Sequence, residues 1–177
     1  MTDTSADPEN SGADGGTPAG GEGMTIVAWS GDLDRVWPTL ILGSTGAAYG
    51  MNVTIFFTFW GLFTLVRDDV RITGTNAMTK ALAGVNPPGI GRMKLSKLNM
   101  AGAGPWMMNK LARDQKVSGP KELVEMCQEL GVQMWPCEMT MDLLGLRQHQ
   151  LIDGVGEPVG AATALAAMSR SNINLFI

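Results

Sequence analysis

Three features of the sequence predict an α/β domain, a three-layer sandwich in which helices flank a five-stranded parallel sheet. Short apolar runs rich in β-branched and aromatic residues alternate with stretches of helical period from Met24 to the last residue. The first two runs are separated by one helix-length segment, the spacing of a right-handed β-α-β crossover. Each run is apolar throughout rather than alternating, as in strands covered on both faces.

In chain order, residues 1–23 are Gly, Ala, Ser, Thr, Pro and acid, with no apolar periodicity. Such a segment cannot bury enough surface to offset its chain entropy, so a disordered acidic tail is expected there. One domain is expected over residues 24–177. Met24–Ser30 (MTIVAWS), bounded by Gly23 and Gly31, is the first strand. Leu33, Val36, Trp37, Leu40 and Ile41 then recur at helical spacing up to Gly50, behind Ser30 and Asp32 as caps. Pro38 lies near the helix start, where a missing N–H is best tolerated. Met51–Thr58 (MNVTIFFT) is the second strand.

Residues 67–117 read as an insertion, partly helical, glycine-hinged and mobile. Met78–Leu82 suits a helical turn, and Asn86–Gly91 (NPPGIG) excludes regular structure. Lys94–Lys116 is rich in Met, Leu and Trp but broken by Ala101–Pro105 (AGAGP). Order returns at Ser118, a cap for a helix opened by Pro120 and closed by Gly131. Leu123, Cys127 and Leu130 share one face of it. Val132–Trp135 is the third strand, Glu138–Leu144 a helix and Leu151–Val155 a short fourth strand. Ala161–Ser169 is an alanine-rich helix, and Ile173–Ile177 (INLFI) is the fifth strand.

Composition narrows the function classes. Hydrophobic content of 45% with 17% charged residues over 177 positions is that of a globular chain. The formal charge is −4, yet the tail alone holds Asp3, Asp7, Glu9, Asp14 and Glu22 and no Lys or Arg. Without those five of the 17 acids, 12 remain against 13 bases. A near-neutral body offers no basic field for nucleic acid, so that class of partner is excluded. Two cysteines and one histidine are too few for a Cys/His metal site or a disulfide framework, and neither metal nor organic cofactor is expected. Sparse thiols, and no basic region followed by an apolar one at the N-terminus, point to the reducing cytoplasm. Val53–Val66 falls short of the roughly 20 residues that span a bilayer, so no transmembrane segment is expected. A peripheral membrane contact through Phe59, Trp60 and Phe63 stays open. The 13 methionines read mostly as adaptable core filler.

Chemistry converges on Gly131–Leu146 (GVQMWPCEMTMDLLGL), where a strand ends on Cys137 and turns directly into a helix. Reactive groups in parallel α/β sheets collect at the carboxyl ends of strands. The first N–H groups of the helix, from Glu138 through Met139 to Thr140, favour an anion there by hydrogen bonding and dipole. A thiolate or a persulfide is such an anion. The Glu138 carboxylate opposes it, and Pro136 makes the strand end abrupt. A buried structural cysteine is the competing reading. Helix and strand rises put Cys127 about 6 Å back from Gly131 and Cys137 about 20 Å onward, so a disulfide between them is not expected. His149 lies in a polar stretch and reads as a surface residue. Arg92, Lys94 and Lys97 could draw an anionic substrate or acidic partner, or simply form a solvated face. AGAGP lacks the strand context and G-x-G-x-x-G spacing of a dinucleotide loop.

Four blocks give the chain a family resemblance: Val53–Leu62 (VTIFFTFWGL), Leu98–Lys110 (LNMAGAGPWMMNK), Glu129–Gly145 (ELGVQMWPCEMTMDLLG) and Leu151–Ile177 (LIDGVGEPVGAATALAAMSRSNINLFI). The chain resembles the DsrE/DsrF/DsrH-like family, in particular its DsrE2-like, peroxiredoxin-like branch, over the body from about Met24 onward. The cysteine followed by M-x-M-D-x-x-G is the most specific part of the match. The resemblance implies a DsrE-like α/β sandwich, homo-oligomeric, acting in cytoplasmic sulfur trafficking. It implies that Cys137 accepts sulfane sulfur, as a persulfide or thiosulfonate, from a rhodanese- or TusA-like partner and relays it. It also implies that the loop carrying Gly102 and Gly104 lies near that cysteine. Two positions depart from the family pattern: Pro136, where a small residue commonly precedes the cysteine, and the acidic tail.

The leading function is therefore a sulfur carrier with sulfurtransferase-like chemistry at Cys137. A peroxiredoxin-like thiol redox protein is the first alternative. A non-enzymatic oligomeric scaffold, contacting a membrane or another protein through its Met-rich loop, is the second.

Overall fold

The computed structural model describes residues 22–70 and 88–177. Four strands, β1 (Gly23–Ala28), β2 (Asn52–Phe57), β3 (Gln133–Pro136) and β4 (Ile173–Phe176), form one sheet in the order β3-β2-β1-β4, every pair parallel. Among the described residues five α-helices accompany them: α1 (Leu33–Ala48), α2 (Ala103–Asp114), α3 (Pro120–Glu129), α4 (Glu138–Leu144) and α5 (Ala161–Met168). The fold is the expected α/β sandwich, with element ends moved by a residue or two. The expected tail lies outside the described residues except for Glu22 and Gly23, and Gly23 already belongs to β1. The expected turn at Met78–Leu82 also lies outside them. Of the stretch expected to lack regular structure, the described part enters a single 3-10 turn at Ile90–Arg92.

The pleat of the central strands divides the interior in two. Ile26, Ile55, Phe57 and Met134 face one side, where α1 and α3 bring Val36, Leu40, Leu123, Val124 and Cys127. Their neighbours Val27 and Phe56 face the other side, beneath α5, with Cys137 and Ala164. Both faces are apolar, which is why the strands read as continuous hydrophobic runs. The α5 side is the thinner layer. That helix buries only Ala164 and Ala167.

The expected fourth strand is corrected by the structure, and with it the count of five: the sheet has four strands among the described residues. Leu151–Val155 forms no strand; Leu151 makes a single antiparallel bridge to Val66, and the chain turns at Gly154 with φ of 75°. The segment that does run parallel beside β3 comes later, where Val159 bridges Cys137. It stops at one bridge for a covalent reason. The next rung toward the start of β3 requires an N–H from Pro136 to reach Glu157, and proline has none. Gly156 N–H instead donates to Met134 O at 2.9 Å, outside a regular ladder.

At the carboxyl edge, the connections leaving β1 and β2 touch backbone to backbone. Thr58 N–H donates to Ala28 O at 2.9 Å and Gly61 N–H to Trp29 O at 3.0 Å. A Cβ on Gly61 would strike the Ala28 carbonyl, and one on Gly31 would strike that of Trp60. Gly61→Ala should therefore cost about 3 kcal/mol or more in a urea unfolding curve, since neither carbonyl can yield. Gly50→Ala, at φ of 90° but in open space, should cost only about 1–2 kcal/mol. Equal losses at the two positions would disprove the close-approach account.

Candidate functional site

Cys137 follows β3 directly and caps α4 with extended φ and ψ of −76° and 115°. Its N–H donates inward to Phe57 O at 2.9 Å, while the next N–H, from Glu138, points outward to Val159 O at 3.1 Å. The cysteine is thus fixed from two sides at the sheet's carboxyl edge. It is 6% exposed and packs with Val27, Phe56 and Ala164, with Trp135, Val159 and Met168 around them. None of these neighbours was singled out in the sequence. The i, i+4 spacing of Ala164 and Met168 was the available signal, but only the strand register shows that this face of α5 meets Cys137.

The supporting residues divide into two groups. Glu138, Met139 and Thr140 form the first turn of α4, as the sequence requires. The Glu138 N–H is already spent on Val159, so two of the three expected donors remain: no acceptor among the described residues takes the Met139 or Thr140 N–H. The Glu138 side chain is exposed, where water screens its charge. Thr140 is buried, and its hydroxyl accepts from Phe59 N–H at 3.1 Å and pairs with the Thr58 hydroxyl at 3.2 Å. It thereby holds Phe59 at φ of 50°, a strained value for an aromatic residue. Met139 is exposed, as is Leu143 four residues on, so both stand on one apolar face of the helix that starts at the cysteine.

Gly102 and Gly104 stand at the start of α2. Gly102, at φ of 96°, precedes α2 and lines a cleft of about 610 Å³ with Arg92, Lys94, Asn99 and Trp106. Gly104 backs onto the Leu98 carbonyl. The apolar shell of Cys137 draws on neither glycine. Lys97 of the expected basic cluster stands exposed, and exposed His149 contributes only its carbonyl, which accepts from Arg67.

Both cysteines are free, and the sheet separates them. Cys127 lies in the α1–α3 core, its thiol directed at Leu40 O over 3.7 Å. Burial pushes the Cys127 thiol up to about 11, so it stays protonated and unreactive at neutral pH.

Comparison with known proteins places this geometry in a family. The profile of the DsrE/DsrF/DrsH-like family matches residues 21–176. The chain belongs to that family. Among its relatives, the uncharacterized protein YrkE of Bacillus subtilis is 39% identical over 153 residues, covering 86% of this chain and 95% of that protein. The sulfur carrier protein DsrE2 of Allochromatium vinosum is 36% identical over 161 residues, covering 87% and 97%.

The burial of Cys127 has a pH signature. Its folded value is raised from about 9 to about 11, so above pH 9 the unfolded chain loses this proton first. Wild-type stability should be unaffected by the group below pH 9 and should fall relative to Cys127→Ala between pH 9 and 11. Urea titrations of both proteins across that interval measure the narrowing gap. A constant gap would mean that the thiol is not desolvated.

Proposed function

We propose that this protein is a sulfur carrier in which Cys137 takes up sulfane sulfur and passes it to a partner thiol. The observation that carries the reading is the 36% identity, along nearly the whole of both chains, to a protein named as a sulfur carrier. The position of Cys137 supports it. The thiol ends a strand at the carboxyl edge of a parallel sheet, beside two helix N–H groups without an acceptor among the described residues.

The chemistry needs no oxidant. The Cys137 thiolate attacks the outer sulfur of thiosulfate, the S–S bond breaks, and sulfite leaves with the electron pair, which leaves a persulfide on the protein. With tetrathionate the same attack expels thiosulfate and leaves a thiosulfonate. A partner thiolate then attacks the outer sulfur of the persulfide, and the Cys137 thiolate is the leaving group. A rhodanese- or TusA-like protein in the cytoplasm suits the partner role, and the Met139–Leu143 face gives it an apolar landing on the helix that starts at the cysteine. Reaching the sulfur requires Met168, Val159 or α5 to give way, and α5 is weakly anchored by two buried alanines. A peroxidase would need a resolving thiol or an external reductant, and the second cysteine, Cys127, lies across the sheet.

The test is mass spectrometry after incubation with polysulfide, thiosulfate and tetrathionate. Cys127→Ser should still gain sulfur at Cys137 and hand it to a partner thiol. Cys137→Ser should do neither. Labelling confined to Cys127 would reverse the assignment.

The carrier is further proposed to work as a homo-oligomer. The outermost strand β4 and helix α5 leave Phe176 70% and Leu165 64% exposed, although parallel sheets are normally covered. Phe176→Asp with Leu165→Asp should reduce the mass found by analytical ultracentrifugation without lowering helix content. An unchanged mass would exclude this face as the contact.

A further inference from the structure

The helix α2 and the turn before it form the most unusual surface of the molecule. A surface helix ordinarily turns its apolar side inward, yet α2 buries only Gly104 and Ala112. Leu98, Met100, Trp106, Met107 and Leu111 stand between 55% and 77% exposed. The backbone is bent to present two of them: Leu98 and Met100 occupy left-handed conformations, with φ of 58° and 43°. Cations surround the apolar group. Residues 92–116 hold Arg92, Lys94, Lys97, Lys110, Arg113 and Lys116 against Asp114 alone, in a chain of net charge −4. Lys110 pairs with Asp114 at 2.7 Å, while Lys97, Arg113 and Lys116 face no acidic partner among the described residues. The cleft of about 610 Å³ beside Trp106 adds Arg92 and Lys94 to its wall.

We propose that this face docks on an anionic lipid surface, with Leu98, Met100, Trp106 and Met107 entering the headgroup boundary. The protruding side chains need a yielding partner rather than a preformed concave receptor. The combination of Trp, Met and Leu with a ring of Lys and Arg is that of an interfacial amphipathic helix. At about 18 Å, the 12-residue helix can lie on a bilayer but not cross it. The docking element is thus not Phe59, Trp60 and Phe63, since Phe63 is buried and Trp60 is half-buried against the core. The proposal does not depend on sulfur chemistry at Cys137. It locates the carrier at a membrane surface.

Flotation of the intact protein with vesicles tests it. Vesicles of phosphatidylcholine containing roughly a third phosphatidylglycerol should carry up the protein at low salt, and pure phosphatidylcholine should carry about tenfold less. Moderate salt, near 0.5 M, should release it, because the Debye length then falls to about 4 Å. Trp106→Ala with Met107→Ala, and separately Arg113→Glu with Lys116→Glu, should each reduce binding about tenfold with unchanged circular dichroism and sulfur loading. All four side chains are exposed, so both variants should fold. Brominated lipid should quench the wild type but not Trp106→Phe. Absence of binding to the anionic vesicles overturns the proposal, as does equal binding by the Trp106/Met107 variant. If the apolar variant instead loses self-association while the wild type ignores vesicles, the face belongs to a second copy.

Discussion

Consecutive N–H groups at the end of β3 point in opposite directions, Cys137 inward to Phe57 and Glu138 outward to Val159. That pair of bonds determines the site. A strand presents successive side chains on alternate faces, so locking the register of Cys137 to β2 commits its thiol to the α5 side. A slip of one residue would move the sulfur into the α1–α3 core. Pro136, whose missing N–H faces the outer edge, leaves the inward bonds intact and limits the outer ladder to a single bridge. The chain from Leu151 to Val159 is then free to turn and to lay Val159 against the cysteine. Pro136 thereby shapes the packing around the cysteine.

The same division explains why two buried cysteines differ in kind. Cys127 sits fully buried between α1 and α3, its sulfur within ordinary contact of the position a Cβ on Gly43 would take. Its thiol is raised by desolvation and held by packing large enough that no modest motion would expose it. Cys137 is covered by one short helix whose inward face is alanine. Burying an alanine removes little apolar area, so the free energy holding α5 over the cysteine is small beside that of the opposite layer. Similar static burial therefore conceals very different costs of opening.

What could be read from the sequence was what depends on local period. The run Met24–Ser30, the spacing from Leu33 to Ile41 and the junction at Cys137 each contain their own structural instruction, and the elements follow within a residue or two. Leu151–Val155 misled because a short apolar run is ambiguous, and its one bridge goes to Val66 rather than to an edge of the sheet. The neighbours of Cys137 could not be named, because they follow from register and from crossover packing rather than from spacing. The α2 segment was legible only as a partly helical insertion: spacing does not show that Trp106, Met107 and Leu111 face outward while glycine and alanine hold the inward positions.

The carboxyl edge also concentrates the backbone's departures from ease. Phe59 is strained, and buried Thr140 from the first turn of α4 holds it through the Phe59 N–H. Gly31 and Gly61 permit contacts that no other residue would allow. Such costs persist only where surrounding structure over-determines them, and here they link the ends of β1, β2 and β3 into one unit. The Thr140 hydroxyl ties the helix that starts at Cys137 to the turn that leaves β2. A displacement of α4 to admit a partner thiol would break those bonds and release Phe59. Displacing α5 breaks none of them. The way to the Cys137 thiol that leaves this network intact is therefore from the α5 side, with α4 held still.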